Sequence, residues 1–206
     1  MKKAGFMKDA LVLFAITVVA GLLLGGTYQL TKTPIALAEE AANQEAYKTV
    51  FADAASFALG EDWTAAIEKT NEELATMDYG NVAVDKVLTA LDANQNEIGH
   101  VIVSHSDDSY GGTVQLSVGL DEEGTILGVE LLSINDTPGL GMKAQEPEFK
   151  NQYIGKNAES LSVKKGGGAG ETEIDSISGA TITSSAVTNA VNAALYFVHH
   201  GLEVAQ

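Results

Sequence analysis

Two hydroxyl side chains flank a glycine–alanine pair near the C-terminus, in Ser178-Gly179-Ala180-Thr181. Alanine and valine follow at helical spacing, which predicts a helix from about Thr183 and places the four residues at a loop-to-helix junction. Serine and threonine at such a junction often cap the free amides of the first helical turn. The same amides, together with the helix dipole, favour binding of a phosphate. The spacing is therefore compatible with a simple helix cap or with a phosphate-containing ligand.

Two glycine-containing breaks earlier in the chain could contact such a ligand. One is Tyr110-Gly111-Gly112, and the other is Asp136-Thr137-Pro138-Gly139-Leu140-Gly141. Proline fixes φ and glycine permits close approach of the backbone, so the longer loop can lie along a flat ring or form an ordinary turn. Tyr110 can stack on a planar ligand or simply end a strand. The residues alone leave both interpretations open.

Together, the three segments resemble the covalent FMN-binding domain family. Asp175-x-x-Ser178-Gly179-Ala180-Thr181 resembles the flavinylation motif of that family. The segment 136–141 resembles its acidic-Thr-Pro-Gly-Leu-Gly loop, in which glutamate is more common at the position of Asp136. Tyr110-Gly111-Gly112 resembles a third family element, and all three occur in the expected order after one apolar N-terminal segment.

The resemblance implies a covalent cofactor and a set of cofactor-binding residues. FMN is expected on the hydroxyl of Thr181 through a phosphoester, installed from FAD by a flavin transferase. Asp175 is expected to serve recognition by the transferase, and Gly179 and Ala180 to keep the attachment point accessible. No catalytic residue and no metal ligand is expected. The loops are expected to complete the site through Ser178, Tyr110, Gly111, Gly112, Asp136, Thr137, Pro138, Gly139, Leu140 and Gly141.

Length and architecture resemble one branch of this family most closely, the G subunits of Rnf electron-transport complexes. That branch implies an electron-carrying flavoprotein in a membrane-bound, ion-translocating ferredoxin:NAD oxidoreductase, with the other membrane subunits as partners. A related branch, the C subunits of sodium-pumping NADH:quinone reductases, is the first alternative. An anchored binding module without cofactor, or a stand-alone FMN-dependent enzyme, are the others.

Composition narrows the function classes independently of the resemblance. The 206-residue chain has a net charge of −16, and all 12 of its basic residues are lysine. Nucleic acid is disfavoured as a partner, since its phosphates require basic patches. The absence of cysteine excludes thiolate-ligated iron–sulfur clusters and cysteine nucleophiles. The chain must therefore exchange electrons with other subunits if it carries them.

The N-terminal segment predicts a membrane anchor. Residues 10–31 carry no charge and are long enough to cross a bilayer. Lys2, Lys3 and Lys8 precede them, which predicts a cytoplasmic N-terminus at 1–9 and an extracytoplasmic C-terminal part in the plasma or inner membrane. A cleaved signal peptide ending at Ala38 is the alternative.

The remainder predicts an α+β fold with an antiparallel β-sheet and packed helices. A helical stalk is expected at 32–52 and the FMN-binding domain at 53–206, whose first part, 53–79, reads as mixed helix and loop. Alternating apolar residues and turn-forming links predict a meander of antiparallel strands. The expected strands are Val82–Leu91, Ile98–His105, Thr113–Leu120 and Thr125–Ile134.

Overall fold

The computed structural model of the chain describes residues 3–59 and 63–202, with side chains from Phe6 onward. Met1 and Lys2 of the expected cytoplasmic segment, and residues 60–62 and 203–206 of the expected FMN-binding domain, lie outside these ranges. The elements, in chain order, are α1 (Lys3–Val50), β1 (Ser56–Leu59), α2 (Trp63–Leu74), β2 (Val82–Leu91), β3 (Glu97–Ser109), β4 (Gly112–Asp121), β5 (Ile126–Ser133), a 3-10 turn (Gly141–Gln145), α3 (Pro147–Lys150), β6 (Ser162–Lys164), β7 (Glu173–Asp175), α4 (Thr181–Tyr196) and a π-helical turn (Phe197–Gly201).

Contacts divide the chain into an N-terminal unit, 1–43, and a compact unit, 44–206. The N-terminal unit contains most of α1. Within Phe6–Val50, the most apolar 18-residue stretch has a mean hydropathy of 2.3 and none of it is buried. A helix of this length and composition can cross a membrane.

An antiparallel sheet organises the compact unit, as the sequence predicts. Its five strands follow chain order, β1-β2-β3-β4-β5, and every neighbouring pair is antiparallel. The predicted α+β fold is therefore confirmed. β1 is an addition to the prediction, and β6 and β7 form a separate parallel pair.

Both faces of the sheet are covered. Helices α2 and α4 pack on one face, where Ile102 and Val87 join the larger core cluster. Tyr47 and Val50, at the end of α1, pack with Val101 and Val103 in a second cluster. Strand β3 therefore carries a nearly continuous run of buried residues, which is expected for a strand that is buried on both sides.

A pair of glycines allows the last turn of α1 to approach the sheet. Gly119 of β4 and Gly128 of β5 are register partners. A Cβ at Gly128 would lie 2.9 Å from the Cα of Val50, and a Cβ at Gly119 would collide with the Val50 carbonyl. Side chains at these two positions would therefore displace Val50 from its buried place.

Candidate functional site

The three sequence motifs meet at one groove of about 570 Å³. Such a volume is typical of cofactor sites. Tyr110 comes from the β3–β4 turn, the next contributions come from the loop after β5, and the last come from the start of α4. The lining residues are Tyr110, Asp136, Thr137, Leu140, Gly141, Gly179, Ala180, Thr181, Ile182 and Thr183.

Asp136 connects the three segments. Its carboxylate accepts hydrogen bonds from the Ser109 hydroxyl at 2.8 Å, from the Gly111 amide, and from the Thr183 hydroxyl at 2.5 Å. The side chain is buried, with 7% of the residue exposed. A buried carboxylate is stabilised by several donors of this kind. Asp136 therefore holds the site together, because all three of its donors come from other segments of the chain.

Glycine is required at two positions around this carboxylate. A Cβ at Gly111 would meet the Asn135 carbonyl and, at 2.6 Å, the Asp136 carboxylate. A Cβ at Gly141 would meet the Asp136 carboxylate and lie 2.7 Å from the Thr183 hydroxyl oxygen. Both distances are shorter than van der Waals contact allows, so a side chain at either position would push the motifs apart.

Two tight turns of the same kind lie next to each other in the site. In Thr137–Leu140 and in Ile177–Ala180, the amide of the fourth residue donates to the carbonyl of the first. The third residue of each turn is a glycine with positive φ, 75° at Gly139 and 79° at Gly179. Glycine tolerates this backbone conformation without strain. A Cβ at Gly179 would also lie 3.2 Å from the Leu140 side chain, so the two turns are in contact.

The start of α4 differs from the expected helix cap. The helix begins at Thr181, two residues before the predicted start, and its N-cap is Ala180, which has no side chain able to accept a hydrogen bond. The capping interpretation of Ser178 and Thr181 is therefore wrong. The first-turn amides carry no side-chain cap, and such amides are the groups that favour an anion at a helix start.

The hydroxyls of the first helical turn have different surroundings. Thr183 is bound to Asp136. Ser184 accepts from the Ile177 amide at 2.9 Å and donates to the Ala180 carbonyl at 3.0 Å. Within the part of the chain that the structure describes, the Thr181 hydroxyl forms no hydrogen bond, and the residue is half-buried at the groove. Of these three hydroxyls, Thr181 is the one free to react.

Exposed apolar side chains line the groove. Tyr110 is 73% exposed, Ile182 is 57% exposed and Leu140 is 43% exposed. A planar aromatic ligand would bury part of this apolar surface. Ile182 and Thr183 were not among the expected site residues. Only their position at the first turn of α4, directly after the motif, could have indicated them.

Some expected site residues lie away from the groove. Gly112, Pro138 and Gly139 shape the loops but are not among the lining residues. Ser178 and Asp175 line a second hollow of about 250 Å³. The Asp175 carboxylate accepts from the Gly168 amide at 3.1 Å, and its own amide donates to Gln152 at 2.7 Å.

A metal centre finds no support in residues 3–59 and 63–202. No group of three or more histidine, aspartate or glutamate side chains in these ranges could hold an ion. The chemistry available at the groove is that of one free hydroxyl beside an apolar wall and an uncapped helix start.

Two segments of the chain match known protein families. Residues 109–196 match the family described as FMN-binding domain, and they include the β3–β4 turn, the loop after β5 and α4. Residues 1–50 match the family described as RnfG N-terminal region. The two matches correspond to the groove and to the apolar helix.

Two curated relatives align over almost the whole chain. One is the G subunit of the Na(+)-translocating ferredoxin:NAD(+) oxidoreductase complex of Acetobacterium woodii, 34% identical over 189 residues, which are 90% of this chain and 87% of the relative. The other is the G subunit of the ion-translocating oxidoreductase complex of Methanosarcina acetivorans, 31% identical over 192 residues and 93% of both chains.

A solved structure has a similar fold. NqrC of Shewanella oneidensis superposes with a TM-score of 0.50 at 20% sequence identity, over 57% of this chain and 61% of that chain. The present chain thus spans about three fifths of that structure, and the similarity concerns the fold.

Proposed function

The chain belongs to the family of G subunits of ion-translocating oxidoreductase complexes, and on this premise we propose that it carries electrons through an FMN joined by a phosphoester to Thr181. The observation that carries the attachment is the Thr181 hydroxyl, which is free, half-buried and placed at the groove. Thr183 and Ser184, the neighbouring hydroxyls, are engaged in holding the fold.

The groove fits the flavin by size and by surface. Its volume of about 570 Å³ lies in the range of cofactor sites. Tyr110, Leu140 and Ile182 offer apolar area to the ring. The uncapped amides at the start of α4 lie beside the proposed attachment point and favour the phosphate.

Attachment balances as a transfer from FAD. The Thr181 oxygen forms a bond to the phosphorus nearer the riboflavin, and the bond between that phosphorus and the bridging oxygen of the diphosphate breaks. AMP leaves, and the hydroxyl proton passes to a base of the flavin transferase. The transferase is the maturation partner in this proposal, and Ser178 and Asp175 form a surface for it next to Thr181.

The bound flavin supplies the redox chemistry, and the chain supplies its position and surroundings. A covalent link prevents loss of the cofactor by dissociation. It also suits a chain with no arginine, which lacks the bidentate donors that bind phosphate well. With no cysteine, the chain takes electrons from other subunits of the complex and passes them on.

In the proposed membrane arrangement, residues 1–9 are cytoplasmic, 10–31 span the bilayer, 32–52 form the stalk and 53–206 form the extracytoplasmic FMN-binding domain. Lys2, Lys3 and Lys8 support this orientation. Protease added outside spheroplasts should digest the C-terminal domain and leave an N-terminal tag intact. Digestion of the tag alone would reverse the orientation.

Co-expression with a flavin transferase tests the attachment. The full chain should be fluorescent in a denaturing gel, because the phosphoester survives unfolding. Thr181→Ala should lose this fluorescence. Ser178→Ala is the matched control, since it removes a nearby hydroxyl of the same motif and should remain fluorescent. Wild-type fluorescence in Thr181→Ala would refute the assignment.

A further inference from the structure

A polar hollow of about 360 Å³ adjoins Thr181 and is distinct from the apolar groove. Thr181 and Gly179 line both. Resting on the proposed attachment of FMN to Thr181, we propose that this hollow holds the phosphodiester and that Lys165 supplies its counter-charge. Lys165, Gly166, Gly167, Ser176 and Ser178 line the hollow together with Thr181.

Charge distinguishes the two hollows. The apolar groove has one charged lining residue, the carboxylate of Asp136, which disfavours an anion beside it. The polar hollow has one charged lining residue too, and it is a lysine, Lys165. In a chain with a net charge of −16, a phosphodiester on Thr181 is stabilised where a cation can approach it.

Lys165 is available for this role, in contrast to its neighbour. Lys164 donates to the Gly168 carbonyl at 2.9 Å and to the Glu173 carboxylate at 3.1 Å. Lys165 is exposed and forms no hydrogen bond or ion pair with any residue that the structure describes. Its ammonium group can therefore turn toward an anion on Thr181 without breaking an existing contact.

The loop that begins at Lys165 is anchored at its base. Lys164 and Asp175 are register partners in the β6–β7 ladder. The Ser176 amide donates to the Lys164 carbonyl at 2.8 Å, and the Asp175 carboxylate accepts from the Gly168 amide at 3.1 Å. Asp175 is thus a positioning residue, because it fixes the far end of the glycine segment that lines the hollow.

The glycines keep the hollow open. Gly166, Gly167 and Gly168 have positive φ angles of 92°, 84° and 77°, which side chains rarely adopt. No atom lies within 4 Å of a Cβ built at any of the three. Their backbone conformation, and not local crowding, requires glycine, and the space beside Thr181 stays free for a ligand.

Acylation of lysines in the loaded protein tests the proposal. The full chain in detergent, with and without covalent FMN, is treated with an amine-acylating reagent, and modification is followed by peptide mass spectrometry. Lys165 should react about three- to five-fold more slowly in the loaded protein, which corresponds to one screened ion pair. Lys143, an exposed lysine that lines neither hollow next to Thr181, is the matched control and should react equally in both forms. Equal rates at Lys165 would overturn the proposal.

Phosphorus NMR of the loaded protein separates Lys165 from a role in maturation. In Lys165→Gln, the phosphodiester resonance should shift and should broaden at lower Mn²⁺ concentration, since the competing cation is gone; Lys165→Arg and Lys143→Gln should resemble the wild type. Reduced loading of Lys165→Gln with an unchanged resonance would assign Lys165 to the transferase and overturn the proposal. Absence of covalent FMN from the wild type would instead refute the proposed function, and if Lys165→Gln does not load, the acylation rates decide.

Discussion

Asp136 shows how much of the site depends on one side chain. Its carboxylate accepts donors from Ser109, Gly111 and Thr183, which belong to the β3–β4 turn and to α4. The sequence assigned Asp136 to the cofactor, through the resemblance of its loop. In the structure, the hydrogen bonds of its carboxylate join the loops that form the groove.

Asp136→Asn should therefore reduce stability as well as cofactor loading. An amide oxygen replaces the charged acceptor and an amino group faces the remaining donors, so we expect a loss of about 2–3 kcal/mol, typical of hydrogen bonds to a charged group. Urea unfolding of the full chain in detergent measures it. Asp107→Asn is the control, since Asp107 is exposed and accepts one side-chain bond, from Thr113, and it should change stability by less than about 0.5 kcal/mol. Equal stability of Asp136→Asn and wild type would contradict this role.

At the scale of elements, α4 carries the attachment residue and is fixed to the domain along its length. The Ser104 hydroxyl of β3 donates to the Ala190 carbonyl at 2.7 Å. Asn192, 1% exposed, accepts from the Leu161 amide at 2.7 Å and donates to the Leu161 carbonyl at 2.9 Å. These contacts hold the first turn of α4, and with it Thr181, in a fixed position.

Asn192→Ala should destabilise the domain by about 2–4 kcal/mol, because it leaves both backbone groups of buried Leu161 without a partner. Thermal or urea unfolding of the full chain provides the measurement. Asn189→Ala removes the same side chain on the same helix, at a half-buried position with no side-chain hydrogen bond among the described residues, and should cost about 0.5 kcal/mol or less. Similar losses in the two variants would show that helix propensity, and not the Leu161 contacts, determines the effect.

The sequence predicted the central elements well and the connections between them poorly. The alternation in Val82–Leu91 predicted β2 at its observed bounds, because the period of a strand is a local property. β1 was missed, since Ser56–Leu59 has four residues and is a strand through its pairing with β2. Likewise, the motif around Thr181 was visible, whereas the bond between Thr183 and Asp136 depends on the tertiary structure.

At the scale of the whole molecule, one buried histidine connects stability to pH. His100 is 5% exposed and its Nε2 has no hydrogen-bond partner, while the ring of Trp63 lies edge-on at 5.5 Å. Burial lowers the pKa of His100 below its ordinary value, against the opposing effect of the Glu97 and Glu122 carboxylates. The folded chain therefore binds fewer protons at this site than the unfolded chain.

Stability should accordingly fall as the pH is lowered. The contribution of His100 is complete above the unfolded pKa of about 6.5 and is lost progressively as the pH drops from there toward the lower folded value. Urea unfolding of the full chain at pH 7.5 and at pH 5.5 should show this loss, and His100→Gln should reduce it. A pH dependence identical to that of the wild type would assign the effect to other groups.

Thr181 links all three scales, since a free hydroxyl, the first turn of α4 and the proposed role in the complex depend on it. Trypsin cleaves after Lys165, and no lysine or arginine follows, so one peptide, 166–206, contains every hydroxyl of the motif. Fragmentation mass spectrometry of this peptide, from chain co-expressed with a flavin transferase, should place a single FMN, attached with loss of one water, on Thr181. An unmodified peptide, or FMN on Ser178 or Thr183, would contradict the account.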